Sequence, residues 1–485
     1  MRRVVPGLAF LILMMSAGAS AQEVVDLEMF GKIRAEGYER TQVMEFYDQF
    51  VDVYGPRLTG TKIYKESADW VRDRFEEWGL DNARLESWEF GRGWTLEGFT
   101  AEMTAPRFSP LIAYPTAWSP STKGRLEGAP VMLVGKSLAE LEALRGTLAD
   151  RIVMTRSAET RFIVTDRDPP EDERPGGYSD DYLQQEPASR RELQQFLASE
   201  QIGAILEPSR GVHGTVFVLG RDRGDDYPPY ISMAAEHYNM IVRMLDLGLP
   251  VELAVEVKAR FEEEDTNGYN ILAEIEGTDP VIGDEVVMLG AHLDSWHTSP
   301  GAGDNADHVA ACMEAMRILK TLGVQPRRTI RVGIWGGEEE GLLGSREWVE
   351  RHLSGEENQA AREKFSVYFN LDPGYGPVFG FFLEEMESAR PIFSAVLDQF
   401  ADLDANTLVH QGIGSTDHVP FLGAGVPAFE AIHDYIDYDV RIHHTNMDTW
   451  ERVTEDQMKQ ASVVMAALIY HAAMRDGMFP RNPPE

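Results

Sequence analysis

Hydrophobic positions change their period along this chain, and the changes divide it. From Gly268 onward, short apolar runs typical of buried strands alternate with longer stretches in which apolar residues recur at every third or fourth position. The runs predict strands over Tyr269–Ile275, Glu285–Ala291, Thr329–Trp335, Ser366–Leu371 and Ala428–Ile432. The longer stretches predict helices over Ala306–Leu322, Leu343–Leu353, Pro391–Leu403 and Glu455–Arg475. Such alternation predicts an α/β fold, with a mainly parallel sheet covered by helices on both faces. Nearer the start, two amphipathic segments, Thr41–Tyr54 and Tyr64–Trp78, predict helices, and Gly79 fits the C-terminal cap of the second. Alternating stretches at Ala83–Phe90 and Phe99–Met103 follow.

The middle of the chain reads differently. Short predicted strands (Pro130–Val134, Arg151–Met154, Gly203–Leu206, Gly214–Val218) alternate with helices at Leu138–Leu144, Arg190–Ser199 and Ala234–Leu247, and a strand at Pro250–Ala259 closes the segment. Asp166 to Glu186, rich in Pro, Gly and Asp, is expected to be an exposed loop. The expectation is a smaller domain over 122–258, inserted between a first part of a larger domain at 22–121 and its main part at 259–485.

The N-terminus carries a targeting pattern. Arg2 and Arg3 precede an apolar run from Leu8 to Met15, and Ala19-Ser20-Ala21 supplies the small residues of a signal peptidase site. Residues 1–21 are therefore predicted to be a signal peptide cleaved near Ala21, with export to the periplasm or the medium; the apolar run is too short to span a bilayer. The 45 Lys+Arg against 80 Asp+Glu leave a formal charge of −35. So acidic a chain argues against nucleic acid or an anionic membrane as partner, since phosphate binding needs a basic face. The lone cysteine, Cys312, can form no internal disulfide and reads as a small core residue.

Candidate chemistry gathers where predicted strands end, the edge at which parallel sheets collect ligands. The run Val286 to Leu289 stops at Gly290 and delivers His292 and Asp294 on one face of the strand, with Leu293 turned to the core. A Gly/Pro-punctuated loop then leads to Asp304. The strand ending at Trp335 runs into Gly336-Gly337-Glu338-Glu339-Glu340-Gly341, three like charges that a cation would neutralise. The next predicted strand ends at Asn370-Leu371-Asp372, and a later loop brings His443-His444. This mixed nitrogen and oxygen set suits zinc, with enough carboxylate for two ions sharing one bridging group. Two such ions would lower the pKa of a water held between them and polarise a carbonyl, and an unligated carboxylate could shuttle the proton.

The motifs His292-Leu293-Asp294-Ser295, Gly301-Ala302-Gly303-Asp304-Asn305, Glu338 through Ser345, Asn370-Leu371-Asp372 and His444-Thr445, in this order, resemble the M28 family of co-catalytic zinc peptidases. The layout is most similar to its carboxypeptidase Q-like branch, with a protease-associated (PA) domain inserted before the His-x-Asp strand. The resemblance implies a three-layer zinc-peptidase (phosphorylase/hydrolase-like) catalytic domain and two Zn2+ per chain. It assigns His292 and Asp372 to one zinc, Glu339 and His444 to the other, and Asp304 as the bridge. Glu338 becomes the general base, Asp294 the residue that orients His292, and the Asp304–Asn305 peptide is expected to be cis.

Departures from the family pattern qualify the substrate side. Asn305-Ala306-Asp307-His308 replaces an Asn-Ala-Ser-Gly run, and His308 is expected on the helix surface. The segment from Gly412 to His418 lacks the tyrosine that some relatives use as an oxyanion donor, so Tyr435 or Tyr438 is the substitute candidate. His418 and Arg441 are further substrate-binding candidates; Arg441 would favour a substrate carboxylate, and Glu340 and Asp307 an amine. The expected function is an exported zinc exopeptidase acting on short peptides, and the resemblance implies a homodimer. Glutaminyl cyclase-like acyl transfer with one zinc, or a non-catalytic binding protein with none, are the alternatives.

Overall fold

The structure, a computed structural model, describes residues 23–170 and 188–481. The predicted signal peptide therefore lies outside the described residues, as do residues 171–186 of the predicted loop. Among the described residues no helix is long and apolar enough to cross a membrane.

Eight strands build the main sheet: β1 (Asp81–Glu89), β2 (Asn267–Ile275), β3 (Val286–His292), β4 (Thr329–Trp335), β5 (Phe365–Asn370), β6 (Tyr375–Phe382), β7 (Thr407–Val409) and β8 (Ala428–Asp434). Their order across the sheet is β1-β2-β4-β3-β5-β8-β6-β7. The central strands β4, β3, β5 and β8 run parallel, and β2 and β6 flank them antiparallel. The alternation of side chains sets the layers. Val287, Leu289 and Ala291 enter one core with the helices Asp307–Thr321 and Glu455–Met474, while Met288 enters another with Trp335, Trp348 and Phe421 on the opposite face. Each fully buried side chain of this size contributes roughly 1.5–3 kcal/mol, so a register slip that exchanged the faces would be costly.

Strand β6 was not predicted. Gly376, Pro377 and Gly380 interrupt its apolar pattern, yet the segment is buried almost throughout because it lies between β8 and β7 with the last helix packed over it. The helix Asp307–Thr321 corrects a second expectation. It is covered by the sheet on one side and by neighbouring helices on the other, so Asp307 and His308 in its first turn are buried rather than on the surface. The His308 ring stacks on His433 at 3.8 Å between centroids.

Two further sheets form a second region. Gly93–Ala105 pairs along its length with Glu252–Glu262 in a four-stranded antiparallel sheet, and Val131–Met132, Ile152–Met154, Ala204–Pro208 and Tyr230–Met233 run parallel in a five-stranded one. The two share a core that includes Met103, Leu253 and Val255 with Met154, Leu206 and Ile231. The segment Gly214–Val218, predicted as a strand of this region, joins neither sheet. Its backbone pairs instead with the loop carrying His444: Val218 N–H donates to the His444 carbonyl at 3.0 Å, and Asn446 N–H to the Val216 carbonyl at 3.2 Å. The start of the predicted exposed loop is also corrected. Arg167 is buried, its guanidinium forking onto Asp439 at 2.7 and 3.0 Å, and Asp166 accepts the Asp437 and Val440 N–H groups.

Candidate metal centre

His292 is the last residue of β3, and its ring orientation is fixed from behind. Nδ1 lies 3.0 Å from the Asp294 carbonyl oxygen, which can only accept, so Nδ1 carries the hydrogen and the Nε2 lone pair faces forward. The Asp294 carboxylate was expected to orient this ring, but it stands 3.7 Å from Nδ1 and has another task. It accepts the backbone N–H groups of Glu338 and Glu339 at 3.3 and 3.1 Å, so Asp294 holds the acidic turn after β4 in place.

Nε2 of His292 is 3.4 Å from Asp304 Oδ1 and 3.4 Å from Asp372 Oδ1. Each carboxylate is held through its own backbone. Asp304 sits in the turn Ala302–Ala306, where Asp448 accepts the Gly303 and Asp304 N–H groups at 2.7 and 3.1 Å, and the Asp304–Asn305 peptide is cis. Asp372 follows β5, and its N–H donates to Glu430 of β8 at 2.9 Å. On the far side of Asp304, His444 Nε2 lies 3.8 Å from Asp304 Oδ2 and 2.8 Å from Glu339 Oε2. Two groups of ligand atoms thus share Asp304: one with His292 and Asp372, the other with His444 and its neighbour His443, whose rings stack at 3.7 Å.

The geometry tests whether cations fit. His292 Nε2, Asp304 Oδ2 and both Glu339 oxygens are buried without a hydrogen-bond partner; the close Glu339–His444 pair is not aligned to make one. Buried polar atoms left unpaired are costly, and here they converge on common points. Burial among acids pushes the Glu339 carboxyl up to about 7 and holds Glu338 and Glu340 well above the usual carboxylate range, Asp372 adding to the effect on Glu338. Such a cluster must take up protons or cations, and nitrogen and carboxylate donors facing one point suit a divalent metal.

Other candidates fall elsewhere. His418 is buried behind Asp372, with Nδ1 3.3 Å from Glu430 and Nε2 3.3 Å from Glu384; the two glutamates overcome its burial and push it up to about 10. It supports the carboxylate that holds Asp372. Arg441 donates to Thr215 Oγ1 at 3.2 Å and to the Val440 carbonyl at 2.9 Å, tying the His444 loop to the second region. Tyr438 stacks on His443, and Tyr435 is buried with its hydroxyl unpaired. Sequence reasoning missed Arg57, Asp448 and Glu430. Arg57 is wholly buried and donates to the carbonyls of Leu293, Pro300 and Gly301, pinning both ends of the loop between His292 and Asp304. Nothing in a lone arginine after a proline signals that role, whereas Asp448 stands four residues after His444, close enough to be weighed with it.

Comparison with known proteins finds relatives of both sequence and fold. The profile of Peptidase family M28 matches residues 270–469. The chain is 26% identical over 473 residues to carboxypeptidase Q of Mus musculus, covering 95% of this chain and 91% of that one. A peptidase M28 precursor from Shewanella amazonensis shares the fold with a TM-score of 0.71 at 23% identity, covering 94% of this chain and 99% of that one. A zinc aminopeptidase from Bacillus subtilis superposes with a TM-score of 0.58 at 20% identity, covering 90% and 95%. With the profile spanning β2 to the last helix, and so every residue of the two ligand groups, residues 270–469 form a metallopeptidase domain of family M28.

Proposed function

We propose that this protein is an exported zinc-dependent exopeptidase that hydrolyses terminal bonds of short peptides at a two-ion centre. The observation that carries the reading is the position of Asp304 between His292 and Asp372 on one side and His444, itself beside Glu339, on the other, where His292 Nε2, Asp304 Oδ2 and both Glu339 oxygens are buried without a hydrogen-bond partner. When bound, the ions supply Lewis acidity to the scissile carbonyl and to the attacking water.

The chain's own residues do the rest. Glu338 stands beside the ligand Glu339, and burial raises its affinity for a proton; it takes a proton from the attacking water and returns it to the leaving amine. Asp294 fixes the backbone of both glutamates, so base and ligand move as one unit. Tyr435, kept protonated by burial and with no partner for its hydroxyl, is the candidate donor to the developing oxyanion. The N-terminal Arg2-Arg3, apolar run and Ala19-Ser20-Ala21 support export.

The experiment combines metal content with substrates blocked at one end. About two zinc ions per chain and cleavage of dipeptides that fails on blocking one terminus are expected. One ion with cyclisation of N-terminal glutamine would favour the acyl-transfer alternative, and equal cleavage of substrates blocked at either end would discard the exopeptidase reading.

A further inference from the structure

A cavity of about 510 Å³ opens beside the metal centre, and every residue lining it belongs to the second region except His444. Among the described residues, four arginines, Arg156, Arg210, Arg221 and Arg223, line it against one acid, Glu207. In a chain whose formal charge is −35, such a local excess of positive charge runs against the composition. Arg156 lies 3.7 Å from Glu207, which neutralises one cation and leaves the others in excess. Arg223 is held in a fixed orientation, donating to the Tyr227 hydroxyl and lying over the Tyr227 and Tyr230 rings at 4.6 and 5.5 Å. Arg210 has its Nε buried without a hydrogen-bond partner. A planar guanidinium with an unused donor is matched by a carboxylate, which accepts two parallel N–H bonds. The volume is ample for a side chain or a short peptide end.

We propose that this arginine-lined cavity is the subsite for a carboxylate of the peptide substrate, placing the negatively charged end of the peptide against the second region while the scissile bond lies at His444. The inference rests on the peptidase reading and deepens it, because it gives the substrate a direction. The carboxylate is either the terminal one or an Asp or Glu side chain. Arg441, the carboxylate anchor expected from the sequence, is committed to Thr215 and Val440.

The test uses full-length, zinc-loaded Glu338→Gln protein, which is expected to bind without turnover, and titrates Ala-Leu, Ala-Leu amide and Ala-Glu amide by calorimetry. Ala-Leu is expected to bind about 10- to 100-fold more tightly than its amide, the worth of a charge-assisted hydrogen bond or two. Added Arg210→Met and Arg221→Met substitutions should erase that difference. Tight binding of Ala-Glu amide would identify a side-chain carboxylate as sufficient, and weak binding would identify the terminal one. Equal affinity for Ala-Leu and its amide in the protein with all four arginines overturns the proposal. Arg221 is exposed, so Arg221→Met alone guards against misfolding; in otherwise native enzyme it should raise KM for Ala-Leu with kcat held. Discrimination between acid and amide in a protein that hydrolyses neither with Glu338 intact would keep the subsite and reject the peptidase reading.

Discussion

His292, Glu338, Glu339 and Asp372 stand at or just beyond the ends of hydrogen-bonded central strands, whereas Arg210, Arg221 and Arg223 ride on the connection between two short strands of the second region, Ala204–Pro208 and Tyr230–Met233. The first set is acidic and locked through its own backbone by Asp294, Asp448, Glu430 and Arg57. The second is basic, and Arg221 and Arg223 are exposed. The difference follows from what each side must do. Holding a metal ion would require ligand atoms placed within tenths of an ångström, which rigid sheet ends provide, while receiving a carboxylate, as proposed for the arginines, would need charge more than exact position.

Experiments can break this division. The largest effect is expected at the shared carboxylate: Asp304→Ala should lower metal content at both positions and bring hydrolysis to background, read by elemental analysis beside activity. Glu338→Gln should leave the metal in place and lower kcat by about 10²–10⁴. Unchanged turnover would remove Glu338 from its role. The clamp between the regions comes next. Arg167→Met leaves Asp439 buried without its cation and should cost about 3–5 kcal/mol of stability in denaturant titrations, with Asp439→Asn in the same chain recovering part of it. If the double variant is no more stable than the single one, the pair is not the unit described.

The smallest effect lies far from the cleft, at Glu86. Burial would raise its carboxyl, but hydrogen bonds from His352 and Arg84 prevail and hold it at about 2. A depressed carboxylate contributes its stability above the unfolded value of 4.5 and loses it as pH falls from there towards 2. The stability gap between the parent and Glu86→Gln, about 1–2 kcal/mol near neutrality after allowance for solvent screening, should therefore close across that acidic window.

The metal side of the cleft was largely legible in the sequence and the second region much less so. Strands β3, β4 and β5 announce themselves as apolar runs, and each ends on a residue whose chemistry stands out, so His292, Glu339 and Asp372 could be read from local pattern. Asp294 does reach the His292 ring, but through its carbonyl rather than its carboxylate, because period-two spacing shows which face a side chain takes and not which of a residue's oxygens contacts the ring. His308 looked exposed because helix periodicity cannot show that a helix is covered on all sides. The arginine cluster was invisible: Arg156 lies in one connection and Arg210, Arg221 and Arg223 are spread along another, and only the folding of the second region against His444 brings them to one cavity. Gly214–Val218 was read as a strand because its apolar alternation is real, but its pairing partner is a loop more than two hundred residues away.

That pairing makes the hydrolytic unit a joint product. The carbonyl of His444, a proposed metal ligand, is engaged by a segment that no shortened version limited to the main sheet would contain. Grafting this cap onto another scaffold, or exchanging it between homologues to alter selectivity, would alter catalysis at the same time, so substrate choice and reactivity in this enzyme have to be engineered together.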